Sequence, residues 1–135
     1  MERLIYVSES DIEESEADAI VADIVANSQS RNAYLNLTGA LIFTGTHFAQ
    51  VLEGCKKVID EVMASIQRDR RHGAVTVVDR SPISERQFPH WAMAYHGPSQ
   101  FVSRYVARLM HTTPGIEQKR ATEWLTQLAR EFLKP

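Results

Sequence analysis

A glutamine stands in the middle of an apolar run, Phe48-Ala49-Gln50-Val51-Leu52-Glu53-Gly54. Read as a strand, the run puts Phe48, Gln50 and Leu52 on one face, and the large apolar neighbours predict that this face is buried. A primary amide carries two donors and an acceptor with two lone pairs, and each group left unpaired away from water costs about 1–3 kcal/mol. Gln50 therefore has polar partners inside the protein or touches a bound ligand. Such an amide offers a donor at one end and an acceptor at the other, which is the chemistry of a hydrogen-bond relay.

Other polar residues stand at similarly awkward positions. Tyr6 shares a strand face with Leu4 and Ser8, Asn32 follows the first helical pattern, and Arg68-Asp69-Arg70-Arg71-His72 ends the second. Trp91 and Met93 alternate on a late strand. Each also has an ordinary structural role: a core tyrosine bonded to backbone, a turn or C-cap asparagine, cations at a helix C-terminus, and core packing. Bond-breaking machinery is not visible. There is no Gly-rich phosphate loop, no G-x-S-x-G and no H-E-x-x-H. His47, His72, His90, His96 and His111 lack a familiar metal spacing, and the single cysteine, Cys55, cannot build a thiolate zinc site. Cys55 reads as a small, half-buried residue at a helix start rather than a nucleophile.

These residues need elements to hold them. Leu4 to Ser8 reads as a strand, and Asp11 to Ser15 holds N-cap residues for a helix with Ala17, Ile20, Val21, Ile24, Val25 and Ser28 on one stripe. Asn32 to Asn36 reads as a polar turn. Leu37 to Phe43, interrupted by Gly39, and Phe48 to Glu53 form a hairpin about Thr44-Gly45-Thr46. Val58, Ile59, Val62, Met63 and Ile66 mark a second amphipathic helix, Ala74 to Val78 a β-branched strand, and Trp91 to Tyr95 a short fifth strand. Pro82 and Pro89 bracket an irregular stretch between these last two strands. The order predicts an α+β, ferredoxin-like βαββαβ fold with an extra fifth strand. Gly97-Pro98 then punctuates the chain. Two helical patterns follow, one with Phe101, Val102, Tyr105, Val106, Leu109 and Met110, the other with Ala121, Trp124, Leu125, Leu128 and Phe132, separated by Pro114-Gly115. Their stripes call for the open sheet face or a second copy of the chain. The expected division is a core over 1–97 and a two-helix extension over 98–135.

Composition narrows the class. The chain has 135 residues with 44% hydrophobic and 24% charged content, as expected of a one-domain globular protein with a real core. A net charge of −2 does not suggest nucleic-acid binding. Charge is uneven, with eight acids against Arg3 alone in residues 1–23 and a basic run at Arg68, Arg70, Arg71 and His72. One cysteine excludes an intramolecular disulfide, the start lacks an apolar signal segment, and no stretch approaches the ~20 apolar residues of a membrane span. A cytoplasmic location and no membrane partner are expected.

Taken together, the segments resemble one family. Leu4-Ile5-Tyr6-Val7-Ser8, Asn32 with Leu37-Thr38-Gly39-Ala40-Leu41, Phe48 to Gly54, Arg68 to His72, Arg86-Gln87-Phe88 and Trp91-Ala92-Met93 are similar, in order and spacing over residues 3 to 97, to the BLUF family of blue-light sensors that hold a flavin. The resemblance implies a non-covalent FAD whose ring lies between the two helices. It implies that Tyr6 and Gln50 are the photoactive pair, Gln50 lying between the tyrosine and the flavin. It implies that Asn32 bonds the ring edge, that Ile24 and Ile66 sandwich the ring, and that Asp69, Arg71 and His72 form the polar wall on the ribityl side. Trp91 and Met93 match the pair that responds to the switch. Arg31 departs from the family, standing where relatives often carry His or Asn beside the flavin. In the implied mechanism the excited flavin takes an electron and a proton from the tyrosine, and the return leaves the glutamine rotated or as its imidic-acid tautomer, with a red-shifted spectrum.

The expected role is a short, stand-alone photoreceptor with no enzymatic activity, acting on a separate downstream protein and as a homo-oligomer. Two alternatives remain: a flavin-free interaction module on the same fold, and a small acylphosphatase-like enzyme. The second wants an anion-binding loop after the first strand, where this chain has the acidic Glu9-Ser10-Asp11.

Overall fold

The computed structural model of the chain describes residues 1–96, 100–110 and 116–133. Mostly apolar runs, buried on both faces, give β1 (Glu2–Ser10), β2 (Thr38–Phe43) and β3 (His47–Gly54), joined later by β4 (His72–Pro82) and β5 (Trp91–His96). The helices are α1 (Ala17–Tyr34), α2 (Lys56–Arg68), α3 (Gln100–Leu109) and α4 (Ile116–Leu133). The strands lie in one sheet in the order β4-β1-β3-β2-β5. β5 runs parallel to β2, and the other neighbours are antiparallel. This is the ferredoxin-like arrangement with a fifth strand added at the β2 edge, as the sequence predicts.

Two cores form, one on each face of the sheet. Leu4, Tyr6, Leu41, Phe43, Phe48 and Leu52 pack with Val21 of α1 and with Ile59, Val62, Met63 and Ile66 of α2. Their strand neighbours Ile5, Val7, Ala40, Ile42, Ala49 and Val51 turn the other way, against Val106 and Leu109 of α3 and Leu125 and Ala129 of α4. The C-terminal helices thus cover the open sheet face. The Gly97-Pro98 and Pro114-Gly115 breaks lie outside the described residues, as do the side chains of Phe101, Val102, Tyr105, Ala121 and Phe132.

Several boundaries differ from the sequence reading. A 3-10 turn at Glu14–Glu16 precedes α1, whose N-cap Glu16 makes no side-chain cap bond. Asn32 is not in a turn but in the last helical turn, fully buried. Polar residues alone do not stop a helix; the stop comes at Asn36, which adopts the left-handed φ of 56° open to asparagine. Gly39 does not interrupt β2. Its φ of 147° lets the strand pass so close to β3 that an added Cβ would lie 1.8 Å from the Val51 carbonyl oxygen. β4 is longer than its β-branched centre because β1 pairs with it from Ser10↔His72 to Glu2↔Pro82. Cys55 is exposed, at the N-cap of α2, rather than half-buried.

Candidate functional site

β1 and β3 are adjacent, and Tyr6 and Gln50 stand directly opposite each other. The Tyr6 hydroxyl donates to Gln50 Oε1 at 2.7 Å, with 4% and 3% of the two residues exposed. The acceptor end of the amide is therefore occupied, while its Nε2 makes no hydrogen bond among the described residues. Burial drives the phenol pKa well above its ordinary value. The Arg31 charge pulls it partly back, and Asp69 adds to the rise.

This pair forms part of the floor of a pocket of about 130 Å³ between α1 and α2. One water needs about 10–15 Å³, so the space exceeds that of a few waters. Leu41 and Phe48 complete the floor. α1 contributes Ile24, Asn27, Ser28 and Arg31, and α2 contributes Ser65 and Ile66. The two isoleucines give an apolar wall from each helix. The third side is the polar corner after α2. Asp69, its C-cap, is held below the ordinary carboxylate range mainly by the Arg71 guanidinium, which donates to it at 2.6 to 3.0 Å and also reaches Asp23 at 3.4 Å. His72 Nε2 donates to the Ile66 carbonyl at 2.7 Å, so in the neutral ring Nδ1 accepts from the Ser8 hydroxyl, also at 2.7 Å. The His72 ring meets Tyr6 and Phe48 edge-on, at centroid distances of 6.2 and 5.9 Å.

Asn32 sits behind this lining. Its Oδ1 accepts from Arg31 Nε at 3.2 Å, and its Nδ2 is buried with no partner among the described residues. A buried amide donor without an acceptor is costly and uncommon. Burial lowers the Arg31 pKa, opposed by Tyr6 and Asp69. The arrangement suits a flat ring held between two aliphatic walls, with acceptors on its edge for amide donors and a charged corner for a polar tail.

Of the residues singled out in the sequence, Tyr6, Ile24, Arg31, Gln50, Ile66, Asp69, Arg71 and His72 come together in this lining. Asn32 joins through Arg31. Trp91 and Met93 do not line it. Trp91 is buried in the same core, its Nε1 without a partner among the described residues, and Met93 is half-buried over a separate groove along α1 with Val21, Ala22 and Val25. Asn27 and Ser65 line the pocket without any signal in the sequence, being small polar residues on exposed helix stretches; Ser28 had shown only as part of a helix stripe. Among the described residues, no group of three or more His, Cys, Asp or Glu could hold a metal, and no helix is long and apolar enough to cross a membrane.

Comparison with known proteins gives the site its context. The family model described as sensors of blue-light using FAD matches residues 1–94. Photoactivated adenylate cyclase subunit beta of Euglena longa is 34% identical over 130 residues, which is 96% of this chain and 13% of that protein. The blue light- and temperature-regulated antirepressor BluF of Escherichia coli K12 is 35% identical over 69 residues, 51% of this chain and 17% of its own length. The chain thus spans a small part of these relatives. Among solved structures, the dark state of BlrB, a BLUF protein, matches with a TM-score of 0.69 and 28% identity over 96% of both chains. The photo-activated state of BlsA shares the fold, with a TM-score of 0.77 at 20% identity, covering 99% of this chain and 96% of that one. With most of its length matched by the family model and its fold shared with solved members, the chain belongs to the BLUF family of flavin-binding blue-light sensors.

Proposed function

We propose that the Tyr6–Gln50 pair is the light switch of this domain, that FAD is held between α1 and α2 by the pocket residues named above, and that the signal leaves through β5 and the C-terminal helices. The observation that carries this is the 2.7 Å Tyr6–Gln50 bond on the pocket floor, with the buried Asn32 Nδ2 behind the lining lacking a partner among the described residues. FAD fits these residues on that ground: its ring edge offers the acceptors that Asn32 Nδ2 lacks. Ile24 and Ile66 would sandwich the ring. Arg31 would stand at its edge, and Arg71, His72 and Asp69 at its tail.

Bound FAD supplies blue-light absorption and a transient acceptor for an electron and a proton. The chain supplies the donor and the memory. Tyr6, kept protonated by burial, is the group that can release both. Gln50 accepts from Tyr6 through Oε1; turning its amide brings the Nε2 donor to the phenol, and shifting to the imidic acid makes the oxygen itself a donor there. Because either arrangement leaves the amide paired, the two lie within a few kcal/mol of each other.

The relatives with cyclase in their names support an output carried elsewhere than in this fold. We read residues 1–97 as the sensor and 98–135 as the extension that passes the signal to a downstream protein, in a homo-oligomer and with no chemistry of its own on a product. An absorption spectrum in the dark and after blue light tests the switch. The protein with FAD should shift to the red. Gln50→Leu should keep flavin and lose the shift, and Tyr6→Phe should do the same. An intact shift in Gln50→Leu overturns the proposed role, and a protein that stays colourless after FAD titration overturns the binding.

A further inference from the structure

A second polar cluster lies at the end of β3, on the sheet face opposite the pocket. Glu53 is fully buried. Its Oε1 accepts from Thr38 Oγ1 at 3.1 Å and from the Phe88 backbone N–H at 3.0 Å, and its Oε2 accepts from the Gln87 N–H at 2.8 Å. Arg86 closes the cluster. Its Nη1 donates to Thr38 Oγ1 at 2.8 Å and to the Glu53 carbonyl at 2.9 Å, and its Nη2 to the Asn36 carbonyl at 2.9 Å. The segment 86–88 is therefore pinned to the paired ends of β2 and β3. A buried carboxylate is expensive unless its lone pairs are met, and here three donors meet them with a guanidinium one hydrogen bond away.

The position of this clamp matters. Three residues after Phe88 the chain enters the sheet at Trp91, whose partner on β2 is Gly39, next to Thr38. Along the same strand as Glu53, Gln50 pairs with Leu41, and Leu41 pairs with Met93. β3 thus reaches β5 twice: through the β2 backbone beside Gln50, and through the Glu53 carboxylate at the strand end. Beyond Met93 the β2–β5 register shifts, Ile42 pairing with Tyr95.

We infer that Glu53 is a positioning residue for the switch: its carboxylate fixes the entry of β5 relative to β3, so that a change at Gln50 is expressed as a change along 86–93 rather than absorbed by a loose loop. This rests on the light-switch reading above. Glutamine at this position keeps the shape and one acceptor but turns an NH₂ toward at least one of the clamped backbone N–H groups.

The test is hydrogen exchange of the flavin-loaded protein, dark and under blue light, on the unsubstituted chain and Glu53→Gln. In Glu53→Gln, the red shift should persist because Tyr6 and Gln50 are untouched. Dark exchange of the Gln87 and Phe88 amides should rise about tenfold, and the light-minus-dark difference over 86–93 should vanish. An unchanged difference over 86–93 overturns the inference. Loss of the red shift together with that difference also overturns it, because Glu53 would then act on the pair itself. Absence of a red shift in the unsubstituted protein would instead sink the light-switch reading, and the rise in dark exchange would still report the clamp. If Glu53→Gln does not fold, Arg86→Lys loosens 86–88 with the carboxylate intact, and a reduced light-minus-dark difference is expected. No reduction there counts against the clamp.

Discussion

Burial rather than charge sets the chemistry of Tyr6. Desolvation raises its pKa far more than the Arg31 charge lowers it, so the phenol stays protonated past its ordinary value of 10.0. The sign for stability follows. A raised pKa in the folded state leaves the contribution intact below 10.0, to be lost only as pH climbs through the raised value. The amplitude of the light-induced shift should accordingly stay flat from neutral pH through 10.0, as followed by difference spectra. A fall centred on that ordinary value would mean that Tyr6 is wetter than its 4% exposure indicates. The pairing of Tyr6 with Gln50 was legible at this scale, since alternation put both on one sheet face and the fold made their strands neighbours. Asn27 and Ser65 were not, because a small polar residue on a helix looks the same over a pocket as over water.

At the scale of elements, strand faces were the clearest signal and boundaries the weakest. The alternation along β1 and β3 sorts Leu4, Tyr6, Phe48 and Leu52 from Ile5, Val7, Ala49 and Val51, as found. Polarity places a turn at Asn32 to Asn36, whereas α1 runs on to Tyr34. This helix ends instead just before a residue with a left-handed φ, Asn36. A glycine inside a strand pattern reads as an interruption, yet Gly39 is the condition for continuity. Gly39→Ala should cost about 1–3 kcal/mol or more, since the new Cβ would meet backbone rather than a movable side chain. Urea denaturation would measure it, and a loss under a few tenths would show that β2 can draw away from β3 freely.

The whole molecule is a sheet with a separate apolar core on either side. α3 packs on β1 and β3, while α4 packs on β2, β4 and β5. Leu125 is fully buried there, in contact with the opposite face from the pocket. Leu125→Ala should lose about 2–5 kcal/mol of stability, the usual cost of such a cavity. The wavelength of the bound chromophore should not change, because one layer of backbone separates the cavity from the pocket. Thermal unfolding followed beside the absorption spectrum distinguishes the two effects, and a moved absorption maximum in this variant would show that the faces are coupled through side chains. The apolar stripes of the last two helices show that they need a cover, either the open sheet face or a second copy of the chain, and the structure places them on the sheet face. The tie from Glu53 to the segment before β5 was not, because it uses backbone N–H groups, which every residue but proline carries.

Cys55 has a practical meaning. The chain holds a single cysteine, and it is exposed at the start of α2, two positions beyond Glu53. A maleimide dye or spin label added to the unmodified protein would therefore land at one site, beside the strand end where the clamp sits, with no background cysteines to remove first.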